Sequence, residues 1–447
     1  MSSYLPENLK SELKIVKGGI EKELRKSYFG GNVDVFINEI TESYLYDLNS
    51  QYPAAMLKDM PVGDPVLSLE TNLDKIFGFV YGEITAPDEQ TLRVPFIQYK
   101  DPITKLTVCP RGKFKRLIFS EEIKYALNYG YSINVEYCYL FKRGVDLFKE
   151  YVLDHYEIKK NSSDPVKKSI AKYLLNTLYG RFGMKDIDSV MKIVNQSEAE
   201  YLDKNTNVSI LSELAENKFV VKYKGKIHDS LRKLYKTDPF ISDVDQIIHY
   251  TKTDLKKSGL NKTTNVPSAV HIAAAISSYA RILINEYKNI PGNPCIMSDT
   301  DSAVLPYPLP EHLVGKELGQ MKLVHKIKKG IFIKKKLYYI LTSDNKEIIR
   351  SSGINSTKLS HESFIKLLQG ETIFIERTTF NLDWEEFSIN VVNSNLKLQG
   401  LQGDAIIYNN KLINKNTSEF SYLEIFIYFI FIFSYLSLLI LFLYNIY

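Results

Sequence analysis

Apolar and polar positions along the chain switch between a period of two and a period near 3.6, with no fixed repeat. Runs of strand character are Val33–Ile37, Ser43–Tyr46, Phe77–Ile84, Ile133–Leu140, Lys218–Lys222, Pro294–Met297 and Leu337–Leu341. They are short, apolar and rich in β-branched or aromatic residues. Helical spacing is clearest at Ser120–Asn128, Pro165–Tyr179, Val270–Tyr287 and His361–Leu368. Strands and helices mixed in this way predict an α+β protein with a largely antiparallel sheet. Residues 186–265 are polar and irregular, as an insertion between core elements would be. The length of 447 residues leaves room for two or three domains and a sizeable core.

The C-terminal pattern is different. Ile425 to Leu443 is a run of 19 residues interrupted only by two serines. As a helix it would reach about 28 Å, close to the roughly 30 Å core of a bilayer. A membrane span, a buried apolar segment and translated A+T-rich DNA are the readings open for it. Residues 1–27 are polar and lysine-rich, without the apolar stretch of a signal peptide.

Composition narrows the classes. Apolar residues at 45% and charged residues at 24% are those of a folded protein. Three well-separated cysteines, Cys109, Cys138 and Cys295, with no CxxC pair, suggest neither a disulfide scaffold nor a zinc site. A net charge of +5 permits a nucleic-acid partner without requiring one. Lys and Arg gather at 111–116, 159–172 and 326–336 with aromatics interleaved, which solvated basic faces would also explain. The abundance of Ile, Lys, Asn and Tyr fits an A+T-rich coding sequence, as in an organelle or a mobile element.

Three segments carry candidate chemistry. In Cys295-Ile-Met-Ser-Asp-Thr-Asp-Ser-Ala-Val-Leu305, one apolar strand enters and another leaves a polar turn bearing Asp299 and Asp301. A β-hairpin follows, with both carboxylates at its tip and, in extended backbone, on one face. Such a pair repels unless one is protonated or a cation sits between them, and a hard oxygen-ligated ion suits it. A solvated turn is the plain alternative. In Tyr44-Leu-Tyr-Asp-Leu-Asn-Ser-Gln-Tyr-Pro-Ala-Ala-Met56, a strand again ends in an acid, Asp47, before a polar turn opens a short helix. Amide groups of that turn could receive phosphate oxygens, or Asn49 or Ser50 could simply cap the helix. In Pro165–Gly180, Asp164 is a good N-cap, Pro165 a good first residue and Gly180 a stop. Lys168, Lys172, Asn176 and Tyr179 share an arc of about 80°, with Val166, Ile170, Leu174 and Leu178 expected inward. Two ammonium groups, an amide and a phenol in a row suit a triphosphate with its base near Tyr179, although a solvated amphipathic helix gives the same pattern.

Taken in order, the three segments resemble one family. DLNSQYP resembles motif A of family B DNA polymerases, KYLLNTLYG motif B and SDTDS motif C. Further marks resemble the protein-primed subgroup of phages, linear mitochondrial plasmids and organelles. Tyr28-Phe-Gly30-Gly31 looks like its YxGG segment and Lys336-Leu-Tyr338 its KxY motif. Lys160 and Lys168 stand twelve and four residues before Lys172, the spacing of its triphosphate lysines.

The resemblance implies a right-hand fold with an antiparallel palm, helical fingers and a thumb. The expected divisions are a residual linker at 1–27, palm at 28–149, fingers at 150–185, palm with an insert at 186–345, thumb at 346–418 and the apolar tail at 419–447. It implies a template-directed DNA polymerase in the mitochondrion that uses two Mg²⁺ ions, or Mn²⁺. Asp47, Asp299 and Asp301 would be the catalytic and metal-binding residues. Leu48, Ser50, Tyr52, Lys160, Lys168, Lys172, Asn176 and Tyr179 would bind nucleotide, with Tyr52 excluding a ribose 2′-hydroxyl. Tyr28, Gly30, Gly31, Lys336 and Tyr338 would contact DNA. Partners would be template and primer DNA, deoxynucleoside triphosphates, a terminal protein as primer, and a membrane through 425–443.

Met297 stands where the family has an aromatic residue, Thr177 where motif B has Ser, and fewer than 30 residues precede YFGG, too few for the family's exonuclease domain. The chain is then either a piece of a longer frame or a polymerase without proofreading. Two rivals remain: a non-catalytic relic that binds DNA only, and a membrane-anchored glycosyltransferase using the Asp299-Thr-Asp301 pair. The second leaves the lysine helix and YFGG unexplained.

Overall fold

The computed structural model describes residues 4–16, 18–185, 190–205, 207–224, 269–383, 388–401, 405–408 and 411–414. The apolar run 425–443 lies outside them, and no helix among the described residues is long and apolar enough to cross a membrane. Two compact units form, one from residues 1–179, 270–371 and 399–447, the other from 180–269 and 372–398.

The first unit is built on two antiparallel sheets. The larger has seven strands in the order β1 (Val33–Val35), β12 (Met297–Asp299), β13 (Ser302–Leu305), β2 (Glu39–Leu48), β14 (Met321–Lys334), β15 (Leu337–Thr342) and β16 (Glu347–Ser351). β2 therefore sits mid-sheet between strands that follow it by more than two hundred residues. Its alternation decides its two faces. Tyr44, Tyr46 and Leu48 pack with Ala303, Leu305, Met321 and Ile284 on one side, and Leu45 joins Val304, Ile327, Phe332 and Ile340 on the other. The second sheet runs β3 (Met60–Ser68), β8 (Ser132–Gly144), β4 (Gly78–Ala86) and β7 (Gly112–Phe119). A small hairpin, β5 (Tyr99–Lys100) with β6 (Thr107–Val108), lies nearby in sequence.

Helices complete the unit. They are α1 (Glu7–Lys10), α2 (Gly18–Arg25), α3 (Gln51–Met56), α4 (Ser120–Leu127), α5 (Lys149–Asn161), α6 (Pro165–Phe182, entering the second unit), α8 (Val270–Asn285) and α9 (His361–Leu368). α8 is buried almost all round, as a helix apolar on every side must be. Inside it, Arg281 meets Glu122 of α4, each side chain 1% exposed. The segment 1–27, expected as linker, forms two helices, and Leu24 of α2 is fully buried. α6 departs from expectation at its packed face and its end. Val166 is 64% and Ile170 53% exposed, whereas Ala171 and Leu175 are buried. The helix passes through Gly180 to Phe182, while Asp164 does cap it, its carboxylate accepting from the Val166 amide at 2.8 Å.

In the second unit, β9 (Val190–Val194), β10 (Asn207–Ala215) and β11 (Lys218–Lys224) form a sheet with β11 central, covered by α7 (Gln196–Asn205). Val194, Ala199, Leu202, Val221 and Tyr223 make its core. Ordered structure thus occupies part of 186–265, a stretch expected to be irregular. β17 (Ile373–Asp383) and β18 (Ser388–Leu398) form a long hairpin. A short hairpin, β19 (Ala405–Tyr408) with β20 (Lys411–Asn414), follows in the first unit.

Candidate active site

One row of cross-strand neighbours crosses the large sheet. Val33 on β1 pairs with Asp299 on β12, Asp299 with Ser302 on β13, Ser302 with Asp47 on β2, and Asp47 with Lys322 on β14. Directly opposed residues share a face, so Asp299, Asp47 and Lys322 point to the same side. Asp301 enters from the hairpin tip between β12 and β13. The predicted hairpin is present, but not in extended backbone, for Thr300 has φ 59°. A β-branched residue there is strained by roughly 1–2 kcal/mol.

That strain is held in place from three sides. The Thr300 amide donates to Asn32 O at 2.9 Å, and its carbonyl accepts from Gln51 Nε2 at 3.0 Å. Gly31 leaves room for the tip, since a Cβ there would lie 2.6 Å from Thr300 Cγ2 and 3.0 Å from its Cα. The Leu48 amide donates to Asp301 O at 2.7 Å, tying the tip to the end of β2. The YFGG segment is fixed in turn by Arg281, whose Nη1 donates to Phe29 O at 2.9 Å and Gly30 O at 3.1 Å. Asn32, Gln51 and Arg281 were not legible as site residues, because each acts through contacts remote in sequence.

The carboxylates differ in setting. Burial, then the nearby Asp47 and Asp299 charges, push Asp301 up to about 6. Burial also raises Asp47, opposed by Lys322, Lys159 and Lys172. Asp299 pairs with Lys336 at 3.3 Å. Among the described residues no three His, Cys, Asp or Glu side chains close a ready-made metal cage. Two half-buried carboxylates that repel each other, Asp47 and Asp301, nonetheless fit a hard divalent cation whose shell is completed by phosphate and water oxygens.

Several predicted residues converge here. Tyr52 and Tyr179 stack with centroids 3.8 Å apart and planes 4° from parallel. Burial and the nearby Tyr179 raise the hydroxyl of Tyr28. Lys336 reaches Asp299 by its ion pair, and burial, then the Asp299 charge, raises the hydroxyl of Tyr338. Lys168, Lys172 and Asn176 are exposed on α6.

Three predicted details differ. The Leu48 amide is engaged by Asp301, and the Asn49 amide by Gln320 O at 3.0 Å, so neither is free for phosphate. Ser50, with φ 51°, precedes α3 without capping it, and its Oγ instead accepts from Lys159 Nζ at 2.6 Å. Lys160 turns away to Glu317 at 2.7 Å, one residue along α5 being about 100° of rotation.

A family model described as DNA polymerase type B, organellar and viral, matches residues 2–281. A probable DNA polymerase of Agaricus bitorquis is 38% identical over 401 residues, covering 88% of this chain and 49% of the relative. One from Podospora anserina is 30% identical over 434 residues, covering 93% and 34%. The DNA polymerase of Bacillus phage phi29 is 28% identical over 191 residues, covering 37% and 31%. This chain spans about half the length, or less, of these relatives. The phi29 polymerase structure with primer-template DNA and incoming nucleotide superposes with a TM-score of 0.60 at 19% identity, covering 87% of this chain and 64% of that one. The expected right-hand α+β fold is thereby met. Sequence and architecture agree, and the chain belongs to the organellar and viral type B DNA polymerase family.

Proposed function

We propose that the chain is the polymerising region of a template-directed DNA polymerase, joining deoxynucleotides to a 3′-hydroxyl. The observation that carries this reading is the meeting of Asp47 and Asp301 at a braced hairpin tip, beside the Tyr52–Tyr179 stack and the lysines of α5 and α6. Asp47 and Asp301 hold the divalent cations, with Asp299 contributing from the next strand. Two Mg²⁺ or Mn²⁺ ions, when bound, supply acidification of the primer hydroxyl and neutralisation of phosphate charge.

The chain's own groups do the rest. Ammonium groups beside Asp47 offset charge on the phosphates as pyrophosphate leaves. Tyr52 closes the sugar side of the pocket against a 2′-hydroxyl, and Asn176 and Tyr179 line the base side. Tyr28, Gly30 and Gly31 approach the template strand, and Lys336 with Tyr338 the primer end. The subgroup marks YFGG and Lys336-Leu-Tyr338 favour a terminal protein as the source of the first hydroxyl. The A+T-rich coding bias favours a mitochondrial plasmid or organellar DNA as the molecule replicated.

Primer extension on a DNA template with Mg²⁺ tests the reading, with Asp301→Ala as its control. Extension by the wild type and a loss of at least about 10³-fold in the variant are expected. Equal extension in both, or none in either, overturns it, and DNA binding without extension identifies a relic.

A further inference from the structure

The order of the large sheet places three strands between β1 and β14, yet the two meet. Val35 of β1 and Phe332 of β14 share one apolar cluster with Met297 and Ile340. The sheet therefore curls until its first and fifth strands close on each other. β14 runs past the start of β2 as far as Asn38, in the link that leaves β1. There the Phe332 amide donates to Asn38 O at 2.7 Å, and Asn38 Nδ2 donates to Phe332 O at 2.6 Å. The turn from β14 to β15 is thereby carried to the edge strand β1.

Two lysines make up that turn, since Lys334 pairs with Leu337 across it. Their side chains part. Lys335 pairs with Asp34 of β1 at 3.1 Å, and Lys336 with Asp299 of β12 at 3.3 Å. Asp34 stands opposite Ser298 and Asp299 opposite Val33, in adjacent rows of one ladder, so the two carboxylates point to opposite faces. The turn straddles the sheet edge, with one ammonium group on each side.

Loose surface pairing does not describe this arrangement. The Asp34 side chain is 12% and that of Asp299 22% exposed, so each carboxylate is largely covered. Lys336 also holds φ 58°, a left-handed conformation that Gly or Asn adopts at less cost. Turn formation does not favour lysine there; the reach of its ammonium group to Asp299 does. Strain kept at one residue needs neighbours that over-determine it. The Ser352 amide, donating to Lys336 O at 3.0 Å, is one such neighbour. Lys335, anchored on the far face, is another.

We propose that Asp34 and Lys335 are positioning residues for Lys336. Their ion pair pins the turn across β1, which begins just beyond the YFGG segment, and so sets Lys336 relative to YFGG. The inference rests on the polymerase reading, in which those two elements face the primer end and the template strand. It adds that the primer-side lysine is aligned from the template-side strand, through a pair that touches neither DNA nor metal.

Fluorescence anisotropy of the full chain with a labelled primer-template duplex, and with the template strand alone, tests it. Lys335→Met and Asp34→Asn are each expected to weaken duplex binding about fivefold, with single-strand binding within about twofold of wild type. Lys335→Arg, which keeps the charge, should stay within about twofold for both. Lys336→Met should weaken duplex binding at least as much, and adding Lys335→Met to it should cost less than about twofold further. In primer extension, KM for primer-template should rise about fivefold in Lys335→Met and KM for deoxynucleotide less than about twofold. Thermal unfolding checks that the variants fold. Should Asp34→Asn, at a largely covered position, be misfolded, Lys335→Met carries the test. Duplex affinity within about twofold of wild type in Lys335→Met overturns the proposal. So does a Lys335→Met loss that multiplies in full with that of Lys336→Met, which marks a pair serving stability alone. Equal losses for duplex and single strand overturn it too. Lys335-dependent duplex binding by a wild-type chain that extends no primer keeps the positioning and removes the polymerase reading. Normal extension with unchanged duplex affinity and KM in the variants does the reverse.

Discussion

Two meetings of acids and bases inside the first unit are made on opposite terms. Around Glu122 the account is closed: both carboxylate oxygens accept from Arg281, at 2.6 and 2.7 Å, and Ser278 Oγ donates at 2.8 Å. Burial opposes its ionisation, yet Arg281 holds Glu122 below the usual carboxylate range. Around Asp301 nothing closes. Burial and two neighbouring acids push it up to about 6, and among the described residues neither Asp301 nor Asp47 closes an ion pair. The difference separates two uses of buried charge. A pair satisfied from within contributes to the fold, whereas a cluster left short of partners is kept for something that arrives later.

Breaking each region should therefore fail in a different assay. The largest effect expected is on catalysis. Asp301→Asn should cut primer extension at least about 10³-fold while leaving the urea midpoint unchanged or slightly raised, because a repelled carboxylate is gone. Lost activity with a clear loss of stability would mean that the acids hold the hairpin together. Next comes Glu122→Gln, which leaves Arg281 buried without its counter-charge and should cost about 3–5 kcal/mol in urea unfolding. A cost under about 1 kcal/mol would remove the contrast.

Gly31→Ala sits between the two regions, since its segment is held by Arg281 and presses on Thr300. The added methyl meets both the Thr300 side chain and its backbone, so the tip must shift. About 1–3 kcal/mol of destabilisation is expected, with a larger proportional fall in extension rate than in stability. Unchanged kinetics would show that the tip tolerates displacement.

The smallest effect concerns pH. His271 is buried on α8 with neither ring nitrogen hydrogen-bonded among the described residues, stacked on Phe141 at 5.1 Å, and burial depresses its pKa to about 3. The unfolded chain, with a histidine near 6.5, takes up the proton first. Stability from this site is thus present above about 6.5 and lost as pH falls toward 3. Compared with His271→Leu, the wild type should lose on the order of 2 kcal/mol between pH 7 and pH 5. Parallel stability curves for the two proteins over that range would contradict the assignment.

What was legible in the sequence were features that local rules govern. Asp299 and Asp301 flank a hairpin tip because apolar runs bracket a polar turn, and Asp47 ends a strand for the same reason. Asp164 caps α6 as its position next to Pro165 implies. Features set by tertiary contacts were not legible. The packed face of α6 runs through Ala171 and Leu175 rather than Ile170 and Val166, since its actual neighbours decide burial and not the side with the largest residues. Glu122 and Arg281 lie 159 positions apart, and no spacing rule links them. Lys159 and Lys160 are chemically identical in sequence, and only the rotation of α5 against Glu317 and Ser50 tells them apart.

The place of β2 in the large sheet has a consequence in time. Both of its partner strands, β13 and β14, leave the ribosome about 250 residues or more after it does. At roughly 5–20 residues per second, that delay is on the order of 10–50 s. Throughout it, a ten-residue strand carrying Asp47 has both edges open and its apolar face without a partner. Two cleft acids cannot meet until that wait ends, so the slow step in making the protein should also be the step that creates its site. Nascent chains halted before residue 297 should be the ones that chaperones hold and that aggregate when released.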